Sequence, residues 1–148
     1  MQFYKSEFDI FNMSIIFRNC KFEQSSLNIS RGRSDAIGFY QCIFNSNPEF
    51  KYQILHIRNL GMVSFNGCIL MNSIISDDFF LFSLSDINTI VISNCKFMNN
   101  IGAILRLLNC YEMKVKQLTM FESRYKNGLN FHKFALIYFS NINTINIE

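Results

Sequence analysis

The chain has 148 residues, the length of one domain with a continuous core and too short for two ordinary ones. Hydrophobic residues make up 49% and charged residues only 17%, which excludes a disordered tail. The net charge of +3 is scattered rather than gathered on one stripe, so nucleic-acid binding is not expected.

Within the apolar half, Ile and Phe dominate, with abundant Asn and Ser, one Pro and no Trp. Branched and aromatic side chains fit a pleated surface, which points to an all-β fold. Between Met1 and Phe11, Lys5, Glu7 and Asp9 interrupt the apolar residues, so no signal-peptide core is present there. No apolar run reaches the roughly 18 residues of a membrane helix, and direct membrane insertion of this segment is not expected. The chain is read either as intracellular or as an internal piece of a longer protein.

In chain order, the first repeat is Ile15 and Phe17, a break at Asn19, then Cys20 and Phe22. Apolar residues two apart are the signature of a strand facing a core on one side. Asn at the break tolerates the left-handed backbone of a tight bend. The second repeat is Ile37, Phe39, Cys42 and Phe44; upstream of it Ile29 is followed by Arg31, a poor fit for a third strand. The third has Leu55 and Ile57, then Val63, Phe65, Cys68 and Leu70. The fourth has Phe82 and Leu84, then Ile90, Ile92, a break at Asn94, Cys95 and Phe97, with Asp86 read as a turn residue. The fifth has Leu105 and Leu107, then Met113, Val115, Leu118 and Met120, so Leu118 stands where the others have Cys. Extrapolation places Ile137, Phe139, Ile142, Ile145 and Ile147 in a sixth repeat with its anchor beyond the last residue. That end is read as a truncation or as a docking end completed by something else.

Each repeat predicts three short strands, and no repeat buries enough apolar surface to stand alone. The expectation is one solenoid spanning residues 1–148, with about five to six stacked coils. Cys20, Cys42, Cys68 and Cys95 would form one inward column of buried, slowly reacting thiols, with Cys110 outside it.

Two solenoid types compete. Leu60, Val63, Phe65, Cys68 and Leu70, and again Ile87, Ile90, Ile92, Cys95 and Phe97, match leucine-rich-repeat spacing. A leucine-rich repeat would continue into a helical or compact convex segment, whereas Phe79–Leu84, 104–107 and 135–139 read as further strands. The stretch Ile90-Val91-Ile92-Ser93-Asn94-Cys95-Lys96-Phe97-Met98-Asn99-Asn100, followed by Gly102-Ala103-Ile104, resembles the repeat of right-handed parallel β-helices of pectin-lyase-like architecture. Similar units occur in polymorphic outer-membrane proteins of bacteria and in repeat-rich surface proteins of protists. The resemblance implies a right-handed β-helix, and a parent protein that is extracellular or cell-surface.

Pectin-lyase-like enzymes carry Asp clusters on one outer face, which directs attention to acidic pairs. Asp77-Asp78 is one, but adjacent residues of an extended segment point opposite ways and converge poorly on a ligand. The outward positions Asn28, His56, Ser83, Arg106 and Tyr138 would align into a possible ligand-facing strip, with glycans as the candidate ligand. Ile54, Leu81, Ile104 and Leu136 would form an outward apolar stripe for a partner protein or another part of the same chain. His56 and His132 lack Cys or carboxylate at ligand spacing, so no catalytic, metal or cofactor site is assigned. Asn12 and Asn28 begin glycosylation sequons. The leading expectation is a non-catalytic structural or interaction module of a larger surface or membrane-tethered protein. The alternatives are a carbohydrate-binding or polysaccharide-cleaving protein and a leucine-rich-repeat-like recognition module.

Overall fold

Alternating apolar residues become strands, and the computed structural model describes residues 1–4, 7–10, 14–30, 35–46, 55–73, 82–101, 105–121 and 137–147. They contain β1 (Gln2–Tyr4), β2 (Glu7–Ile10), β3 (Ile15–Arg18), β4 (Lys21–Glu23), β5 (Ser26–Ser30), β6 (Ala36–Tyr40) and β7 (Ile43–Asn45). The chain continues through β8 (Leu55–Asn66), β9 (Ile69–Met71), β10 (Phe82–Ser93), β11 (Lys96–Met98), β12 (Leu105–Lys116), β13 (Thr119–Phe121) and β14 (Ile137–Ile147). All pairings are parallel. One sheet has the order β1-β4-β7-β9-β11-β13 and the other β14-β12-β10-β8-β5-β2, with β3 and β6 completing the latter. Parallel neighbours from successive repeats make this a β-solenoid, and β8 to β13 form three regular turns.

Two of the three expected strands per coil are one element. The twelve-residue strands β8, β10 and β12 bend once, at Asn59, Asp86 and Asn109, where φ is +58°, +55° and +53°. Ladder pairing resumes on both sides of the bend, as Ser85↔Arg58 and Ile87↔Leu60 show. A single left-handed residue therefore turns the corner without ending the strand, and Asn or Asp is the side chain that accepts it at least cost. A second corner precedes each anchor, at Asn19, Gln41, Gly67, Asn94 and Gln117, and a third falls at Gln24, Asn72 and Asn99.

The register also settles the second repeat. Leu27 and Ile29, not Ile29 and Arg31, pair with Leu55 and Ile57. The sequence between this strand and the next is longer here, so β5 and β6 are separate where later turns have one bent strand. From long strand to following short strand the spacing is constant in the three regular turns, while the sequence leading to the next long strand varies, as 99–104 and 122–136 show.

Inward side chains stack by column. Phe17, Phe39 and Phe65 lie nearly parallel with ring centroids 5.1 Å apart, and Phe22 stacks on Phe44 at 4.9 Å. Leu60, Ile87 and Cys110 form a further buried column, which Ile142 continues, so Cys110 faces the core too. The extrapolated sixth repeat is in register: Ile137, Phe139, Ile142, Ile145 and Ile147 pair with Leu105, Leu107, Cys110, Met113 and Val115. No described residue is helical, where leucine-rich-repeat spacing would require compact convex segments.

Candidate functional site

The outward faces of the long strands carry the residues singled out by sequence. Parallel pairing aligns Asn28, His56, Ser83, Arg106 and Tyr138 in one row across β5, β8, β10, β12 and β14. Neighbouring strands in such a sheet lie ~4.8 Å apart, so adjacent members of the row are within side-chain reach. Asn28 is exposed and His56 and Arg106 are half-buried, whereas Ser83 retains only 7% exposure although it faces outward. For Tyr138 the description extends to its backbone register.

Next to this row runs a second one, Ser30, Arg58, Ser85 and Leu108. Arg58 Nε donates to Ser30 Oγ at 3.2 Å, which ties the guanidinium to the outer face. Desolvation, reinforced by the positive charges of Arg58 and Arg106, holds the His56 imidazole below its ordinary pKa. Arg58 was not among the residues read from sequence, because its place beside His56 depends on which residues face outward.

Ile54, Leu81, Ile104 and Leu136, together with Asp77, Asp78, His132 and Asn12, lie outside the described residues. The sequon residue Asn28 is exposed on β5. Among the described residues no cluster of His, Cys, Asp and Glu could hold a metal ion. No helix among them is long and apolar enough to cross a membrane.

Cys20, Cys42, Cys68 and Cys95 form the inward column, and all are free and buried, as is Cys110. Their thiols do more than fill space. Cys20, Cys42, Cys68 and Cys95 each donate to the carbonyl two residues earlier, that of Arg18, Tyr40, Asn66 and Ser93, at 3.3–3.7 Å. Cys42 and Cys68 also reach the carbonyls of Phe17 and Phe39 on the preceding rung, at 3.5 and 3.2 Å. Neighbouring thiols and burial push Cys68 up, and burial pushes Cys110 up to about 11. At Cys68 and Cys110 thiolate, the reactive form, is thus suppressed, whereas hydrogen bonding with Cys68 holds Cys42 and Cys95 down, and there it is burial that keeps a reagent away. A thiol reagent should label the native protein slowly and count five thiols only after denaturation. Fast native labelling of Cys68 would contradict the column.

Amides mark the corners. Gln2 donates to Glu23, Asn45 to Glu23, Asn72 to Asn45 and Asn99 to Asn72, a chain of side-chain bonds along one edge of the solenoid. Along another edge Asn141 donates to Asn109 and Asn109 to Asp86, at 2.9 and 3.0 Å. On the outer face the Tyr40 ring occupies the space that a Cβ on Gly38 would need, 2.5 Å away, and Arg18 lies 4.9 Å from the ring centroid.

An apolar cavity of about 10 Å³ lies between Phe65, Cys68, Phe82 and Cys95, room for at most one water and no ligand. A cleft of about 590 Å³ opens along β10, β12 and β14, lined by Val91, Ser93, Lys114, Lys116, Ile145 and Ile147 among others. Compared with protein-family models, curated proteins and solved structures, the chain matches none.

Proposed function

We propose that this chain is a non-catalytic interaction module whose β14 face receives a further β-coil, from a partner protein or from the remainder of its own chain. The observation that carries this reading is the continuation of core columns onto an open edge. Met113 and Val115 are buried, but Ile145 and Ile147, next in the same columns, are 42% and 77% exposed. β14 ends the strand order of its sheet, so its outer ladder groups have no partner strand among the described residues. An apolar, unpaired parallel edge favours strand addition.

In the finer form of the proposal the coils are right-handed and resemble pectin-lyase-like β-helices, within a surface-exposed or membrane-tethered parent protein. The local chemistry of the Ile90–Asn100 unit supports that resemblance. Asn94 and Asn99 sit at left-handed corners, and the buried Asn100 bonds to the preceding coil.

Light scattering over a concentration series tests the edge. The native sequence should associate as concentration rises, and the double substitution Ile145→Lys and Ile147→Lys should keep it monomeric. A native protein that stays monomeric at high concentration would count against the proposal.

A further inference from the structure

The two ends of the stack are stepped, and the steps are complementary. One sheet runs from β1 to β13 and the other from β2 to β14, with β3 on the same rung as β2. Each long strand and the short strand after it make one coil. At one end β14 therefore stands one rung beyond β13, and at the other β1 stands one rung before β2 and β3. Both ends open the core in the same columns. Ile15 and Phe17 on β3 are half-buried, whereas Ile37 and Phe39 behind them are buried, just as Ile145 and Ile147 are exposed in front of Met113 and Val115. In the other sheet Met120 on β13 is 41% exposed in front of the buried Phe97, and Phe3 on β1 holds the same column at the opposite end.

We infer that the further coil received by β14 is the first coil of a second copy of this chain, so that copies stack head to tail; the inference rests on the reading of β14 given above and names its partner. In this joint β14 pairs with β2 and β3 of the next copy while that copy's β1 pairs with β13. β14 and the incoming β1 then make up one complete coil, and the open edges of both sheets are closed at once. The register carried across the joint sets Ile145 against Ile15, Ile147 against Phe17 and Met120 against Phe3, all apolar pairs in core columns. Charge is compatible too: Asp9 of the incoming coil falls in the row of Arg106, two rungs away, with the neutral Tyr138 between them. Two β14 strands set against each other would instead leave a gap of two rungs over the β13 edges, because β14 stands one rung proud of β13 in each copy. A head-to-tail contact leaves a free end on both sides, so the assembly grows as an open stack unless its rotation closes a ring.

Cross-linking in register tests the joint. Ile16→Cys and Asn146→Cys are introduced into separate copies of the full chain; both positions are exposed, and the five native thiols are buried. A short bis-maleimide should join the two variants when they are mixed and join neither to itself, because the head-to-tail joint sets position 16 of one copy ~4.8 Å from position 146 of the other. A chain carrying both substitutions should give a ladder of covalent oligomers, as an open stack requires. Adding Ile145→Lys and Ile147→Lys to the Asn146→Cys chain should abolish the mixed product, and far-UV circular dichroism checks that each variant is folded. If light scattering shows association but mixing gives no joined product, or Asn146→Cys joins to itself, the second copy's first coil is not the occupant and the reading of β14 stands without it. A chain that stays monomeric at every concentration would overturn both.

Discussion

Replacing Phe39 by Ala should cost about 3–5 kcal/mol of stability, the range for deleting a fully buried aromatic ring. Phe39 has no exposed surface. Its ring stacks on Phe17 and on Phe65 at 5.1 Å and meets Phe44 edge-on at 5.5 Å. The cavity would open in the middle of the column, where rungs on both sides depend on it. In a solenoid each coil is held by its neighbours, so the loss is felt by the whole stack. Set against the ~5–15 kcal/mol that holds a domain folded, this one change should leave the chain marginal. Urea denaturation followed by far-UV circular dichroism measures it. Phe39→Leu should lose less than half as much, because most of the volume remains. A loss below about 1 kcal/mol for the alanine variant would show that the ring is not packed in this column.

The second large effect is expected at Asn100, a buried polar side chain that staples two coils. Its Oδ1 accepts from the Ser73 backbone N–H at 3.2 Å, and its Nδ2 donates to the Leu70 carbonyl at 3.2 Å. Asn100→Ala would strand a donor and an acceptor away from water at about 1–3 kcal/mol each, or about 2–6 kcal/mol together. Asn100→Asp separates the two bonds. A carboxylate keeps the contact with Ser73 but sets a negative oxygen against the Leu70 carbonyl, while the protonated acid restores a donor. Burial and that repulsion raise the folded-state pKa of the introduced acid above its unfolded value. The variant should therefore be closest to the native protein at low pH and lose stability as the pH rises through the raised pKa. Equal destabilisation of Asn100→Asp across the pH range would rule out the staple.

The core columns were legible because they obey local rules. Ile15, Phe17, Cys20 and Phe22 recur in later repeats at fixed spacing, and a two-residue alternation with one break specifies which side chains face inward. The sixth repeat followed from the same spacing. The corners at Asn59, Asp86, Asn109 and Asn141 were only partly legible. Asp86 announced a turn, but a single left-handed residue inside a continuing ladder cannot be told by sequence from the gap between two strands. The second repeat misled for a related reason: the extra sequence before β6 moves Leu27 and Ile29 off the spacing kept by the others. As for the candidate site, the row His56, Ser83 and Arg106 followed from register. The depth of Ser83 and the approach of Arg58 did not, because they depend on how side chains on neighbouring rungs share the outer surface.

The constant spacing from each long strand to its short strand, set beside the variable sequence that leads to the next long strand, divides the molecule into what heredity must keep and what it can alter. Doubling the length of a flexible connection costs only ~0.6 kcal/mol, whereas one residue added within a strand would turn every following side chain to the wrong face. Insertions and deletions between a short strand and the next long one can thus accumulate over generations while the pitch passes unchanged to descendants.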